Sequence, residues 1–127
     1  MLWKSLFYND QRILIASKTD REARAVGKLV AQAKNQLPEW LRPEMGNDND
    51  HEKEFIETGS IMWFFTPSAA RSRALTYLII DEAAFVQGME EHWKAMYPTL
   101  STGGNAIIIS TVNGIGGVGG WYHDQYQ

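Results

Sequence analysis

Three short apolar runs, Ile13 to Ala16, Leu75 to Ile80 and Ala106 to Ile109, each stop abruptly at polar residues, and they limit what this chain can fold into more than any other feature. None is long enough for a helix of ordinary length, and none shows the alternation of a strand with one wet face. They read as strands covered on both sides, the pattern of a parallel sheet between layers of helix. After the first run, Thr19-Asp20-Arg21-Glu22 has the form of a capping box, in which a Thr hydroxyl and a Glu carboxylate each satisfy an amide at a helix start. The stripe Ala23, Val26, Val30, Ala33 and Leu37 then puts five residues on one helical face, with Pro38 as the stop. Strand, turn and long helix make the first half of a crossover unit.

The rest of the pattern fits the same α/β class. Phe55-Ile56 and Ile61 to Phe65 flank Glu57-Thr58-Gly59-Ser60, which predicts an antiparallel hairpin with Trp63 and Phe65 on one face and Met62 and Phe64 on the other. Glu44 to Lys53 holds almost no large apolar group and reads as a solvated loop. Glu90 to Tyr97 has helical spacing before Pro98. Met1 to Tyr8 reads as the last two turns of a helix with Leu2, Trp3 and Leu6 on one side, and a further helix starts near Trp121. Both ends are therefore expected to lie inside a larger α/β domain.

Composition sets bounds on function. At 127 residues, 44% apolar and 21% charged, the chain is expected to form one packed domain or a piece of one. Twelve Lys and Arg against fifteen Asp and Glu give a net charge of −3, so any nucleic-acid contact has to be local. Zero cysteines exclude disulfides, thiolate-bound zinc and a thiol nucleophile. No apolar run is long enough to cross a bilayer, and a soluble, intracellular protein without membrane contact is expected.

The chemistry concentrates in Tyr77-Leu78-Ile79-Ile80-Asp81-Glu82, where an apolar strand ends in two adjacent carboxylates. Ligands bind at the carboxyl ends of strands in open α/β sheets. There one acid can hold Mg²⁺ through water while the other orients a water against a terminal phosphate, the Walker B arrangement of P-loop ATPases. The competing reading makes Asp81 and Glu82 helix caps beside the positive end of a helix dipole. The next apolar strand ends in Ser110-Thr111-Val112-Asn113-Gly114, so two successive strands finish in polar groups. His51, His92 and His123 are scattered with no metal-ligand spacing and read as surface or incidental. The glycines between Gly114 and Gly120 depart from a dinucleotide fingerprint and read as a mobile loop at the active edge.

Taken as a set, these residues resemble the amino-terminal ATPase domain of tailed-bacteriophage terminase large subunits, the motors that package DNA into proheads. The resemblance rests on Asp81-Glu82-Ala83-Ala84-Phe85 after the strand and on Ser110-Thr111-Val112-Asn113-Gly114, which is similar to the family's coupling motif. The exit Leu37-Pro38-Glu39-Trp40-Leu41-Arg42-Pro43 and the hairpin at Gly59-Ser60 add to it. It implies a partial RecA-like P-loop ATPase core: a mostly parallel sheet flanked by helices, with an inserted β-hairpin. It also implies ATP and Mg²⁺ as cofactors, Glu82 and an arginine finger at Arg71 as catalytic residues, and Asp81 as the Mg²⁺ holder. Ser110, Thr111 and Asn113 would face the nucleotide. DNA, portal protein and the terminase small subunit are the implied partners, and the host cytoplasm the implied location.

The sequence departs from the family in three places: no phosphate-cradling loop with its Lys is present, Ser72 follows Arg71 where glycine is usual, and Val112 replaces a common proline. Residues 1–127 would correspond to the Walker B and coupling-motif region, with no nuclease domain. The parent is thus expected to be an ATPase, and this piece inactive without the loop, with an open sheet edge at Ala106 to Ser110 that invites self-association. A helicase-type ATPase core fragment and a non-catalytic α/β interaction module are the alternative readings.

Overall fold

The computed structural model describes residues 1–69 and 74–125, apart from the side chains of residues 101 and 102. In chain order the elements are helix α1 (Leu2–Phe7), strand β1 (Arg12–Ala16), helix α2 (Asp20–Asn35), strands β2 (Met45–Asp48), β3 (Glu52–Phe55), β4 (Ser60–Phe65) and β5 (Leu75–Ile80), helix α3 (Met89–Met96), strand β6 (Leu100–Ile108) and helix α4 (Gly120–Gln125). The strands form one sheet in the order β2-β3-β4-β1-β5-β6. β4, β1, β5 and β6 run parallel, and β2 and β3 are attached antiparallel to β4. The parallel core is the one the apolar pattern predicts, and the antiparallel hairpin forms as well, with its first arm at Glu52–Phe55 rather than Phe55-Ile56 and its second at Ser60–Phe65.

Each face of the sheet buries its own apolar layer. Ile13 and Ile15 of β1 and Met62 and Phe64 of β4 pack with Ala23, Val26 and Val30 of α2, and with Leu2 and Leu6 of α1. On the opposite face Leu14, Ala16, Leu78 and Ile80 meet Ala83, Ala84, Met89, Met96 and Tyr122. Consecutive residues of β1 thus serve different layers, which is why the run is continuous rather than alternating. Each fully buried Leu, Ile, Phe or Met side chain contributes about 1.5–3 kcal/mol relative to exposure. The capping box at Thr19 and Glu22 forms as expected, both hydrogen bonds being present.

Several local expectations change. Glu44–Lys53 is largely strand rather than loop, because β2 pairs with β3. Its polarity is accommodated by Asp48, whose carboxylate accepts from Lys34 of α2 and, at 2.9 Å, from Lys53 of β3. Both lysines are buried. α2 ends at Asn35, Ala33 is exposed, and Gly27 and Lys34 take buried positions instead. A side chain at Gly27 would collide with the Asp50 carbonyl, so glycine is what lets the β2–β3 turn close onto the helix. Trp3 faces solvent at 56% exposure while Leu2 and Leu6 pack inward, and β6 begins at Leu100, six residues before the apolar run Ala106 to Ile109. Among the described residues no helix is long and apolar enough to cross a membrane.

Asp48 supplies a direct test of how α2 is tied to the hairpin. Burial alone would raise its pKa, but hydrogen bonds from Lys34 and Lys53 and the charges of both outweigh burial and hold the carboxyl below its ordinary value. A carboxyl depressed by folding adds stability that is present above its unfolded pKa and disappears as pH falls through the lower, folded one. Asp48→Ala is expected to cost about 3 kcal/mol at neutral pH, because two buried ammonium groups lose their partner. The difference between variant and wild type should shrink on acidification below the usual carboxylate range, as read by urea unfolding across pH.

Candidate active site at the carboxyl ends of the parallel strands

β1 and β5 are neighbours in parallel register, with Ile15 opposite Ile79 and Ala16 opposite Ile80. The ladder extends one step further, since the Asp81 amide donates to the Ala16 carbonyl at 2.9 Å. Beyond that point Asp81 and Glu82 leave the sheet, and the chain turns through a 3₁₀ segment, Ala83–Phe85. Glu82 has φ 54° and ψ 39°, the left-handed region, which costs a residue with a Cβ about 1–2 kcal/mol. Its amide donates to Asp81 Oδ1 at 3.0 Å.

This turn gives the acid pair its geometry. Successive residues of a strand point to opposite faces, yet Asp81 and Glu82 line the same cleft. The left-handed turn at Glu82 breaks the alternation. Although Glu82 occupies the N-cap position of the 3₁₀ segment, its side chain makes no capping hydrogen bond. The reading of Glu82 as a helix cap therefore finds no contact to support it.

The strand-terminal segment after β6 clasps the same turn. The Ala84 amide donates to Ser110 Oγ at 3.1 Å, and Asn113 Nδ2 donates to the Ala84 carbonyl at 2.9 Å. The Tyr122 hydroxyl donates to the Ser110 carbonyl at 3.2 Å, which ties α4 to the clasp. Gly119 adds a close approach, because a side chain there would strike the Asn113 carbonyl. The glycine-rich run is in this respect a packing element of the site rather than only a loop. Thr111 is exposed. Ser110 and Asn113 are thus turned toward the acid-pair loop, and Thr111 is not.

Two clefts meet at this end of the sheet. The first, about 330 Å³, is lined by Ser17, Lys18, Glu22, Ala25, Val26, Asp81 and Glu82. The second, about 470 Å³, shares Lys18 and includes Thr19, Thr66, Ser68, His92 and Asn113. His92 lines this second cleft, with its Nδ1 buried and without a hydrogen-bond partner among the described residues. His51 pairs with Asp20 at 2.7 Å and stacks on Phe65. Arg71 lies outside the described residues.

Ser17 is the site residue that motif reasoning missed. It is 2% exposed, its Oγ has no hydrogen-bond partner among the described residues, and it lies on the cleft that holds the acid pair. A buried hydroxyl left unpaired costs about 1–3 kcal/mol. The sequence signal was only a serine at the end of an apolar run; the register that sets it beside Asp81 is visible in three dimensions alone.

The donor set suits a hydrated magnesium ion. Among the described residues no cation pairs with Asp81 or Glu82. No cluster of three or more His, Cys, Asp or Glu that could cage a metal occurs among them either. Mg²⁺ needs neither, because it keeps several waters and binds through one or two carboxylates together with substrate phosphates.

The fold is that of a phage large terminase ATPase domain. The chain superimposes on the ATPase domain of the Thermus phage P74-26 large terminase with a TM-score of 0.75, at 22% identity, over 97% of this chain and 55% of that one. The large terminase of a thermophilic bacteriophage matches with a TM-score of 0.70 at 16% identity, covering 98% of this chain and 31% of the other. The HK97 bacteriophage large terminase matches at 0.67 and 15% identity, over 87% and 25%. The chain therefore spans about half the length of the P74-26 ATPase domain. No family model matches the sequence. In this terminase fold the acid pair stands at the carboxyl end of a central parallel strand.

The strained turn yields a prediction. Glu82→Gly should raise stability by up to about 1 kcal/mol, since glycine adopts the left-handed conformation without the Cβ penalty, while Glu82→Ala retains the strain and brings no such gain. Chemical denaturation of both variants measures the difference.

Proposed function

We propose that this chain carries the water-activating and coupling part of a DNA-packaging motor ATPase of the phage large-terminase kind, working with ATP and Mg²⁺. The observation that carries the reading is the acid pair itself: two carboxylates, without a counter-cation among the described residues, share one cleft beyond a parallel strand, one of them at the cost of backbone strain. Strain of this kind concentrates at functional sites. In this reading Glu82 accepts a hydrogen bond from the attacking water and aligns it with the terminal phosphate. Asp81 holds the hydration shell of Mg²⁺, and the bound ion neutralises charge that develops on the phosphate oxygens. Ser110 and Asn113 hold the Ala84 backbone, so a displacement of the strand end would move Glu82 with it. Thr111 is free to meet the nucleotide, and Arg71 would supply a planar, permanently charged fork to the phosphoryl group. The reading extends to DNA, portal protein and a small terminase subunit as partners, in the host cytoplasm.

Hydrolysis assays test it. By itself the chain is expected to show no motor-like ATP turnover, because nothing in its 127 residues has the form of a phosphate-cradling loop. In a polypeptide that supplies such a loop ahead of residue 1, Glu82→Gln should retain ATP binding and lose turnover, and Asp81→Asn should also weaken Mg²⁺ binding. Arg71→Ala should lower turnover roughly a thousandfold with ATP affinity little changed. Normal hydrolysis by Glu82→Gln would return the chain to a non-catalytic interaction module.

Self-association forms a second part of the proposal. β6 pairs with β5 alone among the described residues, and Ile107 and Ile109 are 39% and 51% exposed. An open edge with exposed β-branched residues invites another strand. Sedimentation velocity should show concentration-dependent association that Ile109→Lys suppresses. A concentration-independent monomer with slow amide exchange along Ile107 to Ile109 would contradict it.

A further inference from the structure

We propose that the Ser17 hydroxyl is a positioning group for Asp81, donating the hydrogen bond that holds its carboxylate in place when a hydrated divalent cation is bound. This deepens the reading of Asp81 as the residue that holds the cation, and rests on it. The placement follows from the sheet. Continuing the register from Ala16 opposite Ile80 brings Ser17 level with Asp81, on strands about 4.8 Å apart. Side chains level with one another on adjacent strands share a face. Ser17 falls on the face of Ile13 and Ile15, and Asp81 on that of Tyr77 and Ile79, all of which belong to the layer under α2. The two side chains are therefore neighbours within reach of a rotation about χ1, and they line one cleft.

The backbone of Ser17 is fixed on both sides. Its amide donates to the Phe65 carbonyl at 3.0 Å, while the preceding carbonyl accepts from the Asp81 amide. Its hydroxyl, however, is buried without a partner among the described residues. With Ala25 and Val26 in the same wall, an alanine would fill the position without an unpaired group. A hydroxyl is useful there only if a polar group completes it in another state of the site. Among the described residues Asp81 takes one donor, the Glu82 amide at Oδ1, and a carboxylate that orients metal-bound water needs a further hydrogen bond to fix its second oxygen. Ser17 is the hydroxyl on this cleft placed to give it.

The test uses the chain as it stands with Mn²⁺ alone as the probe, following free Mn²⁺ by electron paramagnetic resonance and stability by thermal unfolding. Wild type should bind Mn²⁺, Asp81→Asn should lose that binding, and Ser17→Ala should weaken it at least tenfold, the lower end of what loss of a ligand's supporting hydrogen bond costs. The melting temperature of Ser17→Ala should be unchanged or higher, because an unpaired buried hydroxyl is removed. Unchanged Mn²⁺ affinity in Ser17→Ala, with binding still lost in Asp81→Asn, would overturn the role of Ser17 and leave that of Asp81 standing. Lowered stability with unchanged affinity would assign Ser17 to packing. Absence of Mn²⁺ binding in wild type, or its persistence in Asp81→Asn, would remove the reading of the acid pair and this inference with it.

Discussion

The hydrogen bond from the Asp81 amide to the Ala16 carbonyl is the contact on which the rest of the candidate site depends. It is the last rung of the β1–β5 ladder and fixes how far each strand runs before its chain turns away. Because both strands are buried on both faces, a slip of one residue would send every side chain of the strand into the wrong layer, so the register is strongly determined. Ser17 and Asp81 are level for that reason. The site is thus a by-product of core packing some way beneath it, where Ile13, Ile15 and Phe64 meet one layer of helices and Leu14, Leu78 and Ile80 the other.

Above that rung the order is held by polar contacts rather than by apolar burial. Ser110 and Asn113 grip the Ala84 peptide from its two ends, and Tyr122 and Gly119 fasten the gripping segment to α4. Each such hydrogen bond contributes on the order of 1 kcal/mol net, against a strained residue at Glu82 that costs a similar amount. These contacts tie the acid-pair turn to the segment that follows β6. Thr111, next to Ser110 in this clasp, is exposed.

The β2–β3–β4 attachment works by a different principle. Asp48 lies between two buried lysines from α2 and β3, and the three charges pin the helix to an edge that has little apolar surface of its own. Breaking such an arrangement is costly because the remaining charges stay buried. The hairpin is therefore tied to α2 by charge as well as to β1 by strand pairing, and through Phe65, whose carbonyl receives the Ser17 amide, it borders the candidate site.

The sequence alone determined the parallel core, the capped helix after β1, the hairpin from Phe55 to Phe65 and the acid pair at a strand end. These follow from patterns a few residues long, in which burial on both faces, turn chemistry and helix capping act locally. Tertiary structure decided what local pattern does not encode. Glu44–Lys53 reads as loop because its charges look solvated, yet Lys34, distant in sequence, neutralises Asp48 and makes a strand possible. Lys34 in turn displaces Ala33 from the buried face of α2. Ser17 is unremarkable until register sets it beside Asp81, and Glu82 until its left-handed backbone turns it onto the same cleft. Bringing residues 64 positions apart, such as Ser17 and Asp81, onto one cleft depends on how two strands align across a crossover, and no window of sequence contains that alignment.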